Sequence, residues 1–154
     1  MKGRVFLLTL AAMFVCTTVG LAANPHMGTW KLNEAKSKIN PGAPKNSTVV
    51  YEDAGDSVKV TVDGVDGDGN PTHSEWTGKF DSKFYPVTGD PTSDERSYRK
   101  VNNHTLALTG KKNGKQTLSG RITVSANGRM RTVTTTGRDS KGKRFSSRAV
   151  YDKQ

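Results

Sequence analysis

The side chains with chemistry to offer are three histidines, a short acidic run and an arginine-rich second half. His73 and Glu75 stand two residues apart in an alternating segment, so one strand face would carry both as an acid–base pair. Trp76 and Phe80 claim the opposite face as core, which leaves that pair on the solvated side. His26 falls in an amino-terminal tail and His104 beside a turn. No two histidines have metal-ligand spacing, and the single cysteine, Cys16, lies near the amino terminus. Asp66-Gly67-Asp68-Gly69-Asn70 offers oxygens at alternate positions, as a calcium loop does. Pro71 stands where that loop requires its sharp-turn Gly, however, and Thr77 where it requires a bidentate Glu. Gly and Asp are equally the residues of a tight hairpin loop, and a turn is expected here. No nucleophile motif, phosphate loop or dinucleotide fingerprint occurs. The expectation is a protein that is not an enzyme and carries no metal or cofactor.

Arg96, Arg99, Lys100, Arg121, Arg129, Arg131, Arg144 and Arg148 are candidates for contact with an anion. Residues 24–95 hold 7 Lys/Arg against 12 Asp/Glu, and residues 96–154 hold 15 against 2. A meander keeps consecutive strands adjacent, so this asymmetry survives folding as one basic wall that attracts anions. Arg131 shares a strand face with Val133. Either the arginine enters the interior, at a desolvation cost of several kcal/mol, or Val133 is exposed and Met130 points inward.

The elements that must position these groups are strands. From Gly28 onward turns recur every eight to thirteen residues, and apolar residues alternate with polar ones. Val58, Val60 and Val62 oppose Lys59, Thr61 and Asp63; Leu118, Ile122 and Val124 oppose Ser119, Arg121 and Thr123. The spacing predicts about ten strands in up-and-down order: 28–33, 47–53, 57–63, 72–80, 84–87, 95–101, 104–111, 115–125, 129–136 and 143–151. Glu34 to Pro44 has room for one helical turn before Pro41, Gly42 and Pro44 end it. Counting Leu, Ile, Val and Phe from Asn24 gives 20 residues of 131, too few for the core of a thick sandwich. An all-β barrel closed on a partly polar interior is the expected fold.

Residues 1–23 read as a cleaved signal peptide. Lys2 and Arg4 precede an apolar run from Val5 to Val15, and small residues follow at Gly20 to Ala23. That run is shorter than the roughly 20 residues a membrane span needs. The mature chain is expected as one domain, residues 24–154, secreted or periplasmic, without cysteine and without a transmembrane segment.

Gly28-Thr29-Trp30-Lys31-Leu32 resembles the opening of the calycins, the lipocalins and cellular fatty-acid-binding proteins. Val150-Tyr151-Asp152-Lys153 resembles the final strand of the fatty-acid-binding branch. The resemblance implies a barrel whose end is plugged by Trp30 beside Gly28, and a lumen that takes an apolar or amphipathic ligand. That branch covers its mouth with a helix-turn-helix, which Glu34 to Pro44 is too short to supply. It also holds a ligand carboxylate with an Arg-x-Tyr pair. Arg148-Ala149-Val150-Tyr151 is one residue longer, which puts Arg148 and Tyr151 on opposite faces unless a bulge intervenes.

Two functions follow as expectations. In the first, the lumen binds a small amphipathic or anionic molecule through Arg131, Arg148, Tyr151, Trp76 and Phe80, with Arg148 also packed over Trp30. In the second, a filled barrel docks its basic wall on anionic envelope lipid or polysaccharide. Export removes most nucleic-acid targets, so none is expected as a partner. A lumen of several hundred cubic ångströms would favour the first reading.

Overall fold

The computed structural model describes residues 23–139 and 141–154, so the leader expected over residues 1–23 lies outside the described residues apart from Ala23. The chain folds as β1 (Gly28–Leu32), β2 (Lys38–Ile39), β3 (Lys45–Ala54), β4 (Ser57–Val65), β5 (Pro71–Gly78), β6 (Tyr85–Thr88), β7 (Glu95–Asn102), β8 (Thr105–Lys112), β9 (Lys115–Val124), β10 (Met130–Arg138) and β11 (Arg144–Lys153). Apart from β2, each strand pairs antiparallel with its neighbours in sequence, and β1 pairs with both β3 and β11. Ten strands therefore close into a barrel, and no long edge is left unpaired among them.

Period-two alternation gives each strand its inner face. In β3 it buries Val49 and Tyr51, in β4 Val60 and Val62, in β5 Ser74 and Trp76, and in β9 Leu118, Ile122 and Val124. The two-residue loop between β8 and β9 shows how turn chemistry sets register. Asn113 and Gly114 both adopt positive φ, 51° and 73°, the geometry that joins two twisted strands most tightly.

The Glu34 to Pro44 segment yields one 3-10 turn over Glu34–Lys36, whose first residues are capped by Asn33 Oδ1 accepting from Lys36 N at 3.1 Å. β2 then lies along the middle of β11, pairing Lys38 with Arg148 and Ile39 with Ser147. This short eleventh strand is absent from the sequence reading, because two residues carry no period. No lid helix occurs among the described residues.

One barrel end is sealed by aromatic rings. Trp30 is fully buried and donates its Nε1 hydrogen to the His26 carbonyl at 2.9 Å. His26 lies edge-on to Phe80, Phe80 stacks on Trp76 at 6.4 Å, and Trp76 meets Tyr98 edge-on at 4.6 Å. Such pairs add attraction beyond the area they bury. Twenty aliphatic and Phe residues suffice for this fold because Trp and Tyr supply much of the remaining bulk.

Candidate functional site: a buried arginine at the floor of the lumen

Arg131 enters the barrel. In β10 it pairs with Val124 on one side and Tyr151 on the other, both buried, and cross-strand partners share a face. Only 3% of Arg131 is exposed, while Met130 points out at 36%. Between the two orientations that the sequence allows for β10, register with its neighbours selects the charged interior.

The guanidinium lies against three rings, 4.5 Å from the centroid of Tyr51, 5.8 Å from Tyr151 and 5.9 Å from Trp30. It donates one hydrogen bond from Nη2 to the Tyr51 hydroxyl at 2.7 Å. Nε and Nη1 are buried without a partner. No carboxylate among the described residues pairs with it. The tyrosines do not replace one: burial raises the Tyr51 pKa despite the opposing pull of Arg131, and burial raises that of Tyr151 to about 12. Both therefore stay neutral phenols near Arg131, whose guanidinium keeps its charge in proteins.

Above Arg131 lies a cavity of about 100 Å³, walled by side chains including Tyr51, Val60, Val62, Tyr98, Ile122 and Val133. Asn46, Pro44 and the loop Gly89–Thr92 stand on its lining toward the opposite barrel end. Arg96 is a second lining cation. It pairs with Asp90, its Nη1 reaches the Tyr98 hydroxyl at 3.5 Å, and its Nε is buried without a partner. Asp90 is itself held by Thr92, whose backbone N and hydroxyl donate to Oδ1 at 2.8 and 2.7 Å. The lumen thus presents one neutralised guanidinium near its loops and one without a counter-charge at its floor.

The other expected site residues are dispersed. Arg148 is exposed and donates to the Lys36 carbonyl at 3.2 Å, so it lies outside the barrel. β11 pairs without a bulge from Arg144 to Asp152, and strict alternation sends Arg148 out and Tyr151 in. Arg131 and Lys153, at 5.9 and 5.2 Å, take the place over Trp30 that was expected for Arg148. Tyr151 stays beside Arg131, its ring centroid 5.8 Å from the guanidinium, but does not line the cavity. Trp76 and Phe80 belong to the aromatic seal and do not line the cavity. Gly28 adopts φ 103°, and a Cβ at that position would meet Lys153 Cε at 3.1 Å. Tyr51, Tyr98 and Asp90 were not foreseen. Tyr51 carries a legible signal, as the one aromatic on its strand and in step with the inward Val49 two residues before it.

The remaining motifs are outer-surface features. His73 Nδ1 meets Asp63 Oδ1 at 2.6 Å, and Glu75 pairs with Lys59 at 2.7 Å, all substantially exposed on the wall. Asp66 accepts backbone hydrogens from Asp68 and Asn70, both at 2.9 Å, so its carboxylate closes the loop as a turn.

His26 is a buried base with both ring nitrogens unpartnered. Burial, then the Arg131 charge, with His104 and Lys100 adding, push its pKa from 6.5 down to about 4. Between those values the unfolded chain binds the proton and the folded chain does not. Stability is therefore full above pH 6.5 and falls as pH drops toward 4, by about 2–3 kcal/mol. Urea midpoints at about pH 7 and pH 4.5 should differ accordingly. His26→Phe should remove most of that difference, and an unchanged difference would assign the pH dependence to other groups.

No protein-family model matches the chain, and no curated protein matches it in sequence; its assignment rests on the architecture, a closed ten-stranded antiparallel β-barrel.

Proposed function

We propose that this protein is an exported, lipocalin-like binding barrel whose lumen holds a small anion against Arg131, without catalysis. One observation carries the reading: a guanidinium 97% removed from solvent, given its 3% exposure, faces a cavity with two of its three nitrogens unpartnered. Burying an ion without a partner costs several kcal/mol, and a ligand carboxylate would remove that cost while satisfying Nε and Nη1.

The volume narrows the ligand. An apolar cavity of about 150 Å³ accommodates benzene. About 100 Å³ suits a carboxylate with a short apolar tail and is too small for a long-chain fatty acid. The lumen falls short of the several hundred cubic ångströms expected for a container, because Tyr51, Tyr98 and Phe145 occupy much of it, and the unpartnered guanidinium carries the reading in place of the volume. Val60, Val62 and Ile122 would meet the tail.

Thermal-shift and calorimetric titration with a series of straight-chain monocarboxylates tests this. Saturable binding should peak for short chains and vanish by dodecanoate. It should persist at high salt, since a desolvated pair is poorly screened. Failure of every small anion to bind at either salt concentration would overturn the reading.

A further inference from the structure

The outer face of β9, β10 and β11 carries a second arrangement, independent of the lumen. Register aligns Arg121, Thr134, Arg148 and Lys38 in one row across four strands. The next row, two residues along each strand, is Ser119, Thr136 and Ser146, extended by Asn40, whose Nδ2 donates to Ser146 Oγ at 3.0 Å. Ser119 and Thr136 hydroxyls lie 3.2 Å apart, so the row is a continuous strip of hydroxyls and one amide. Two residues further, Arg138 and Arg144 stand directly opposite each other. Strand spacing puts neighbours within a row about 4.8 Å apart and the two arginine rows about 13 Å apart. A groove of about 580 Å³ lies at the Arg138 and Arg144 end of this face, lined by those two arginines and by Ser119, Thr136, Ser146 and Asn40; the Arg121 row continues the face beyond it.

None of Lys38, Arg121, Arg138, Arg144 or Arg148 pairs with a carboxylate among the described residues. Like charges directly opposite in a sheet destabilise it, yet Arg138 and Arg144 occupy such a pair. The exposed large apolar residues among those described, Val101 and Met130, lie outside the groove, so it offers no wedge for a lipid surface. Its lining aromatic, Phe145, is buried, and a nucleic-acid strand would find no exposed ring on which to stack.

We infer that this face binds an acidic polysaccharide, with the hydroxyl strip hydrogen-bonding sugar hydroxyls and the two arginine rows taking carboxylates or sulfates on either side.

Immobilised polygalacturonate is the probe, with linear polyphosphate, phosphatidylglycerol vesicles and a single-stranded oligonucleotide as comparisons. The full chain should bind polygalacturonate at low salt and weaken as salt rises. The exposed quadruple variant R121Q/R138Q/R144Q/R148Q should lose at least about 20-fold in affinity, from several screened contacts acting together. T136V/S146A should weaken binding to polygalacturonate while leaving polyphosphate binding unchanged. R131M should bind polygalacturonate as the wild type does, which separates this surface from the lumen. The inference is overturned if the full chain does not bind polygalacturonate, or binds vesicles or the oligonucleotide more tightly. Retention of wild-type affinity by either multiple variant would overturn it as well.

Discussion

Trp30→Ala should lower the stability of the barrel by about 3–5 kcal/mol, the range for removing a fully buried aromatic from a core that cannot collapse around the loss. Collapse is hindered because Trp30 is fixed on both sides by strand pairing, to Val49 in β3 and Lys153 in β11. The variant also strips the His26 carbonyl of the indole donor at 2.9 Å. Arg131 and Lys153 lose an aromatic face as well. Domains of this size are stable by only about 5–15 kcal/mol, and the thermal midpoint should fall by about 10 °C or more. Trp30→Phe, which keeps a ring but not the donor, should cost less than half as much. A midpoint for Trp30→Ala within a degree or two of wild type would show that the ring does not seal the barrel end.

That prediction was within reach of the sequence; others were not, for reasons that differ by residue. Strands were legible because alternation and turn chemistry act locally, and ten of the eleven fall within a few residues of their expected places. β2 was invisible because its two residues pair with β11 only after closure brings them together. Arg131 was legible as a dilemma and no further. Val133 and Met130 are both tolerable inside, and only Tyr151 and Val124, distant in sequence, decide which strand face turns inward. Arg148 shows the opposite failure. Its spacing to Tyr151 already predicted opposite faces, and the family comparison drew it into the site against that geometry. Trp76 and Phe80 face inward as expected, but at the sealed end, and position along the barrel axis is not encoded in a period of two. The cavity volume was equally hidden, since it depends on how far Tyr51 and Tyr98 reach across the lumen.

Arg131→Met should separate function from stability more sharply than any other change. In the absence of ligand, the wild type bears a buried charge whose cost is offset only in part. A hydrogen bond to a charged donor contributes about 1.5–3 kcal/mol, and a desolvated cation–π contact about 2. Met has a similar unbranched stem, fills the space beside Tyr51 and Trp30, and carries no charge to desolvate. The variant should therefore melt at or above the wild-type midpoint when no ligand is added, which is rare for a residue 3% exposed. Anion binding should fall by at least about 30-fold, because truncating one partner of a buried charge pair costs 2–5 kcal/mol. Arg131→Lys should lie between, keeping the charge but losing the planar fork that can engage a carboxylate through two nitrogens. Differential scanning fluorimetry of the three proteins, with and without a short-chain carboxylate, reads both quantities at once. If Arg131→Met is strongly destabilised and the carboxylate shift survives in it, the arginine is a structural prop for Tyr51 and Trp30, and the anion must be held elsewhere. An apo midpoint that rises while the ligand shift disappears would place the arginine in the barrel for the ligand alone.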